Sequence, residues 1–453
     1  MLYLIIRVIL SLICKDIFST KDFFMNILQL VLTCLSVVFG LLYAYQVLFM
    51  IIGIFSKKKK FPEAKEQHTF AFLIAARNES KVIGNLINSI RNNDYPQDKI
   101  KIFIVADNCE DNTAELCRNL GCTVYERFNK EQVGKGYALN FLFKHIADEF
   151  PDYEPDAFFI FDADNVLTSN YISEMNKALD SGVKVCTSFR NSKNYGTNWL
   201  SAGSSLGFMR ECRFLHRPKS VLKLSTHVSG TGFYISKDVM TFKDGWKYVT
   251  LTEDIEFSAA NTLKGVKIGF CEDAVFFDEQ PIKFKQTWKQ RIRWAKGSLM
   301  GFSIFHASLS LEFLKTLDFN FYEYYFSRFF PVGLYYGLSF IASNVVTLIS
   351  RILEVTNAHA IVSAFYFISP VLVALLTTYL GLLVDSVLAT VLNWKHIKAP
   401  ARKKILYMFT TPVFNFIFTI PVVFVALFKK VKWDPIEHTE SITQEQLEVR
   451  EKK

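Results

Sequence analysis

The chain has 453 residues, a formal net charge of +9 and 50% hydrophobic residues, including 44 Phe and 19 Tyr. That length holds one large domain plus a membrane region, and the apolar residues concentrate before residue 56 and after residue 328. The basic residues gather at the ends of apolar segments, at Lys57 to Lys60 and again at Lys395, Lys398, Arg402, Lys403 and Lys404. This speaks against a nucleic-acid groove and for an anionic membrane surface, where each such charge contributes about 1 kcal/mol. The eight Cys show no paired CxxC spacing, so no zinc site is expected, and unpaired thiols suit a reducing cytosol.

In chain order, the opening MLYLIIRVILSLIC carries Arg7 and is short for a span, which predicts an interfacial helix or a poorly fixed start rather than a second span. Residues 24–55 are almost uncharged and read as one transmembrane helix. No small-residue cleavage site precedes a polar start, so this is an anchor and not a removed leader. Lys57 to Lys60 then place the next domain in the cytoplasm by the positive-inside rule. FAFLIAAR (70–77), KIFIVAD (101–107), CTVYER (122–127), AFFIFDAD (157–164) and VKVCTSF (183–189) read as buried strands, with FYIS (233–236) and VKIGF (266–270) after them. Helical spacing between them, as in Val82, Ile83, Leu86, Ile87 and Ile90, predicts an α/β domain: a mostly parallel sheet flanked by helices. Residues 195–227 read as a helical insertion, and 283–303 as a basic, aromatic helix in the membrane interface. Apolar segments come next at 329–350 and 360–392. A third, 407–428, contains Pro412 and Pro421 and is either a span, the slightly favoured reading, or re-entrant. The expected boundaries are therefore 1–56, 57–282, 283–328, 329–428 and a polar tail 429–453, with no internal repeat.

Candidate functional residues fall at strand ends and helix starts, where ligands bind in open α/β sheets. Asp162 and Asp164 in FIFDADN are alternate carboxylates that could share a divalent ion, and their oxygen ligands favour Mg²⁺ or Mn²⁺; read alone they are equally two solvated loop acids. Asp107 in IVADNCEDNT ends a strand, or begins an Asx turn. Glu79, beside Asn78, suits the positive end of the next helix. Gly134-Lys135-Gly136 permits close backbone approach, with Lys135 in reach of a phosphate or simply on a capping loop. In LTEDIEF, Thr252 reads as an N-cap, with Glu253 and Asp254 as first-turn acids. In KQRIRWAKG, Gln290, Arg293 and Trp294 share one helix face, as an interfacial anchor or as a binding surface.

Taken together, DAD, TED and QxxRW in this order resemble the membrane-integrated glycosyltransferase family 2 synthases, which include the cellulose, chitin, hyaluronan and poly-N-acetylglucosamine synthases. The resemblance covers about residues 68–304. It implies a GT-A nucleotide-sugar-binding domain inserted between transmembrane helices. Asp162 would contact the nucleotide and Asp164 the metal. Asn78, Glu79, Asp107, Lys135 and Arg293 would line the donor site. Asp254 would be the general base, and Glu253, Gln290 and Trp294 would meet the acceptor. His227 to Gly232 would line the acceptor loop. The chain reads ADN at Asp107 where many members have DD, which removes one charge from that pocket. The implied activity is inverting, processive transfer from UDP-glucose or UDP-N-acetylglucosamine into a β-linked exopolysaccharide moved across the plasma membrane. The implied partners are a UDP-sugar, a glycan or lipid acceptor and membrane lipids, with no nucleic acid and with accessory subunits unspecified. Ceramide glucosyltransferases resemble the chain too, so single transfer to a membrane lipid is the alternative.

Overall fold

The computed structural model describes residues 20–329, 360–435 and 438–447. The predicted interfacial segment 1–14 lies outside them, as does the apolar segment 329–350 except for its first residue. Contacts divide the chain into two compact units, Met1–Val47 with Val332–Gly381, and Leu48–Pro331 with Leu382–Lys453. The first unit contains helix α1 (Thr20–Tyr43), whose Leu35, Val38 and Leu41 are exposed. One continuous helix was expected over 24–55. The structure turns at Ala44, between Tyr43 and Tyr45, and a second helix α2 (Tyr45–Phe55) comes after it.

The α/β part of the second unit is built on β1 (Phe70–Ala76), α3 (Ile83–Arg91), β2 (Ile100–Asp107), α4 (Thr113–Asn119), β3 (Thr123–Arg127), α5 (Lys135–Glu149) and β4 (Ala157–Asp162). After these come β5 (Val166–Leu167), α6 (Tyr171–Asp180), β6 (Val185–Ser192), α7 (Trp199–Glu211), α8 (Arg217–Val221), β7 (Phe233–Ser236), α9 (Glu253–Leu263) and β8 (Ile268–Asp278). One eight-stranded sheet results, in the order β3-β2-β1-β4-β7-β6-β8-β5. β3, β2, β1 and β4 are parallel, as are β6 and β8, while β7 runs antiparallel to both its neighbours and β5 antiparallel to β8. The sheet is therefore more mixed than the rhythm of strands and helices predicts.

Strands with both faces covered read as unbroken apolar runs, and β1 shows why. Phe70, Phe72 and Ile74 face a core with Ile83, Leu86 and Ile87 of α3 and Met175 of α6. Ala71 and Leu73 face the opposite core, with Leu139, Leu142 and Phe143 of α5. The parallel strands end on one edge, and the helix N-termini open there. Beyond the sheet lie α10 (Phe284–Thr316), α11 (Phe319–Tyr324) and, after residues 330–359, α12 (Ala360–Leu392) and α13 (Ala401–Phe428). Helix α10 runs thirteen residues past the predicted end at 303.

Three helical segments, Thr33–Phe55, Leu372–Leu392 and Ala401–Phe428, are long and apolar enough to cross a membrane. Helix α13 is continuous through Pro412 and Pro421. The α/β domain and α10 hold it along its length. Lys403 donates to Gly196 O at 2.5 Å, Phe414 packs on Trp199, Phe418 on Phe284, and Ala426 O accepts from Lys296 at 3.1 Å.

Candidate active site

At the carboxyl ends of β1, β2 and β4 a cleft of about 300 Å³ opens toward α10. Asp107, Lys135, Asp162, Asp164, Glu79, Glu253, Asp254, Gln290, Arg293 and Trp294 all line it. Asn78 does not: it adopts φ +57°, and its Oδ1 accepts from the Glu110 amide at 2.7 Å, so it shapes the β1 turn.

Lys135, at the start of α5, pairs with Asp162 and also donates to Gly230 O at 2.7 Å. Asp162 is the more open of the two motif acids. Asp164 is buried, with Oδ2 accepting from the Glu279 amide at 2.8 Å and Oδ1 from Asn165 at 3.0 Å. Burial would raise its pKa, but the charges of His438, Lys193 and Arg190 and the Glu279 amide hold it below the ordinary carboxylate value. Glu79 Oε2 and Asp278 Oδ1 are buried without a hydrogen-bond partner among the described residues. Unpartnered carboxylate oxygens beside an ionised Asp164 are the hard ligands that Mg²⁺ or Mn²⁺ takes. Asp107 is buried and its charge is already met by Arg127, at 2.5 Å. Asn108 beside it takes φ +53° and donates to Asp107 Oδ1.

Glu253 and Asp254 open α9 across the cleft. Thr252 does not cap that helix, as the sequence suggested; its Oγ1 is buried without a hydrogen bond among the described residues. Its methyl and hydroxyl lie instead against Gly297 of α10, where an added Cβ would overlap both. Gly297 therefore lets the helix carrying Gln290, Arg293 and Trp294 rest directly on the one carrying Asp254. Gly297→Ala is expected to lower stability by roughly 1–3 kcal/mol through overpacking and to reduce turnover further, because it lifts Arg293 from the cleft. Thermal unfolding and a rate measurement separate the two effects, and a variant with wild-type turnover would refute this dependence.

Burial pushes the Glu253 carboxyl up to about 7, helped by the Asp254 charge and opposed by Lys135. Asp254 is raised as well, by burial, against its helix amides and the charges of Lys135 and Arg328. The charge of Asp254 thus disfavours ionisation of the Glu253 carboxyl beside it. A reaction needing the ionised pair loses rate as pH falls through about 7. The expected kcat/KM profile has an acid limb there, and Glu253→Gln moves the limb to lower pH by removing the like charge; an unmoved limb would assign the ionisation elsewhere. The sign for stability is the reverse. The folded chain holds protons that the unfolded chain releases near 4.5, so this pair costs stability as pH rises from 4.5 to about 7.

Arg293 donates weakly to Leu251 O, at 3.4 Å, and Gln290 Oε1 is buried without a partner among the described residues. Trp294 meets Phe208 edge-on at 5.9 Å, with the Arg291 guanidinium 4.8 Å from its ring centroid.

Several lining residues escaped the sequence reading. Arg190 pairs with Asp278 at 2.6 Å and stacks on Phe208 at 3.6 Å. Glu211 and Arg328 line the cleft too, and the Arg328 charge acts on Asp254. The polar tail returns to the domain. Arg77 lies 5.4 Å from the Trp433 ring, Asp434 pairs with Lys289, His438 bonds Glu79 at 2.9 Å, and the Glu279 carboxylate accepts from the Thr439 and Glu440 amides. Ile442 and Leu447 then bury against Val166 and Phe277. The one hint in the sequence was an aromatic, Trp433, just after the basic end of the last apolar segment.

Comparison with known proteins agrees with this geometry. The chain is 24% identical over 308 residues to the probable glycosyltransferase YdaM of Bacillus subtilis, which covers 60% of this chain and 68% of that relative. It is 24% identical over 339 residues to a poly-beta-1,6-N-acetyl-D-glucosamine synthase of Staphylococcus epidermidis, covering 72% and 78%. A beta-monoglucosyldiacylglycerol synthase of Synechocystis matches at 24% over 231 residues; these span 50% of this chain but just under half, 47%, of that relative. Among solved structures, the mannosyltransferase PcManGT from Pyrobaculum calidifontis, in complex with GDP-Man and Mn²⁺, superposes with a TM-score of 0.54 at 14% identity, over 89% of this chain and 99% of its own. That likeness shows the shared GT-A fold. The model of the glycosyltransferase-like family 2 matches residues 67–297, about half the chain, and the chain belongs to that family of glycosyltransferases.

Proposed function

We propose that this glycosyltransferase takes UDP-glucose or UDP-N-acetylglucosamine at the cytoplasmic face of the plasma membrane and adds the sugar, with inversion, to a growing β-linked glycan that it passes outward. The observation that supports this most is the meeting of Asp162, Asp254 and Arg293 in one cleft, from three separate motifs. Asp107 and Glu79 hold the nucleoside, and Lys135 and Arg293 the diphosphate. Asp254 takes the proton of the attacking acceptor hydroxyl while the bond from the anomeric carbon to the diphosphate breaks on the opposite face. Gln290, Glu253 and Trp294 orient the acceptor, the Trp ring offering a sequence-tolerant stacking surface. Asp164, with Asp162, would hold a divalent cation, whose chemistry is to neutralise charge on the leaving diphosphate. Lys57 to Lys60 and the exposed apolar faces of α1 and α13 support the membrane setting.

A second reading, single transfer to a membrane lipid, is supported by the match to the glucosyldiacylglycerol synthase. One experiment decides between them: purified protein in detergent is given UDP-glucose, UDP-N-acetylglucosamine and GDP-mannose, and both nucleotide release and product length are read. Polymer from a UDP-sugar supports successive addition. One sugar on a lipid replaces it with the second reading, and no nucleotide release from any donor removes both.

A further inference from the structure

Helix α7 ends at Glu211 and continues into a π-helical turn, Cys212–His216, and a second π-helical turn, Tyr325–Phe329, comes directly after α11. π-turns are uncommon and concentrate at functional sites. These two bring Glu211 and Arg328 together, 117 residues apart in the chain, on the wall of the cleft that also carries Asp254. Arg328 Nη2 donates to Glu211 Oε1 and, at 3.1 Å, to His227 Nδ1; His227 Nε2–H donates to the same Oε1 at 2.8 Å. Both imidazole nitrogens are thus engaged, which fixes the neutral Nε2–H tautomer. Burial and the Arg328 charge depress the His227 pKa in agreement with this, despite Glu211.

Glu211, His216 and His227 also place three ligand atoms within 4.8 Å of one another. A metal is not what they await, because Arg328 already supplies the positive charge and His216 Nδ1 is bonded to Thr226. What remains open is a matched pair. Both bonds to Glu211 use Oε1, so Oε2 has no partner among the described residues, and Arg328 Nε–H is buried without one. One free acceptor beside one free donor suits a hydroxyl, which both donates and accepts.

We infer that Glu211 and Arg328 form an acceptor subsite that binds a non-reacting hydroxyl of a sugar, so that the acceptor at Asp254 is the end of a glycan. This rests on the proposed transferase activity and narrows its acceptor. A diacylglycerol has one free hydroxyl, which the reaction consumes, and leaves this pair unsatisfied; a sugar ring has others to spare. His227 bonds both Glu211 and Arg328 and so positions the pair.

The test uses full-length protein in detergent with the donor that releases UDP, and two added acceptors, a β-linked N-acetylglucosamine pentasaccharide and dioleoylglycerol in mixed micelles. Wild type, Glu211→Gln and Arg328→Lys are compared for acceptor KM and kcat, for UDP affinity by calorimetry and for thermal unfolding. The pentasaccharide is expected to accelerate UDP release, and both variants to raise its KM about tenfold to a hundredfold, the scale of a lost hydrogen bond to a charged group, with kcat and UDP affinity changed far less. Acceleration by dioleoylglycerol alone overturns the inference. So does a variant whose UDP affinity falls as much as its acceptor affinity, or whose acceptor KM is that of wild type. If Glu211→Gln does not fold, Glu211→Asp, which keeps the Arg328 pair but shortens its reach, gives the same reading. Failure of wild type to release UDP from any donor is a separate result, and it removes the transferase proposal before any variant is made.

Discussion

Asp254→Asn is expected to lower turnover by roughly 10²–10⁴-fold, the range general base catalysis contributes, while the affinity for UDP stays close to that of wild type. Asparagine keeps the shape at the head of α9 and cannot take a proton. The carboxylate is poised for this role by its surroundings. Burial raises its pKa, Glu253 stands next to it, and Lys135 and Arg328 bring positive charge without quenching it. Gly230 passes close to it, so that an added Cβ would sit 3.7 Å from Asp254 Oδ2. Single-turnover kinetics with calorimetry of UDP binding check the outcome. A parallel loss of UDP binding and rate would move Asp254 to the donor side of the cleft.

Removing divalent cations should have the other large effect. EDTA is expected to bring turnover to background, and added Mn²⁺ or Mg²⁺ to restore it. Asp164→Asn should weaken Mn²⁺ binding measured by paramagnetic resonance, while the protein still unfolds cooperatively on heating. Asp164 is ionised and buried, and Glu79 Oε2 and Asp278 Oδ1 lack partners among the described residues. Without a cation, a diphosphate would enter among these carboxylates with side-chain cations alone, such as Lys135, Arg190 and Arg293, to offset its charge. Full turnover in EDTA would show that those side-chain cations suffice and that the paired acids serve another purpose.

Much of this was legible in the sequence, for physical reasons that particular residues make clear. β1 and β2 could be read because their two faces are both buried, so no polar residue interrupts FAFLIAA or IFIVA. β8 was read only to Phe270, because Glu272 and Asp273 come soon after it within the strand. Glu272 is paired there with Arg217, and Asp273 with Lys58. Two-residue β5 is too short to leave a pattern. Within the site, the residues that announce themselves lie in compact motifs at strand ends. Glu211 and Arg328 do not, since each sits among helical residues and acquires meaning only when two π-turns bring them together. The tail is a similar case: WDPIEH reads as polar coil until Trp433 and His438 are seen against Arg77 and Glu79.

The grip of the catalytic domain on α13, and the return of the tail beyond it, pose a question of parity. A chain whose two ends lie on one side of a bilayer has crossed it an even number of times in between. Residues 48–329 carry the cleft, and Trp433, Ile442 and Leu447 rest on that same domain. On the membrane reading, the chain between them therefore crosses an even number of times, which α12 and α13, both long and apolar enough to cross, can supply as a pair. A label attached after Lys432 should be protected or exposed together with one at Lys57, whichever face of the membrane that proves to be.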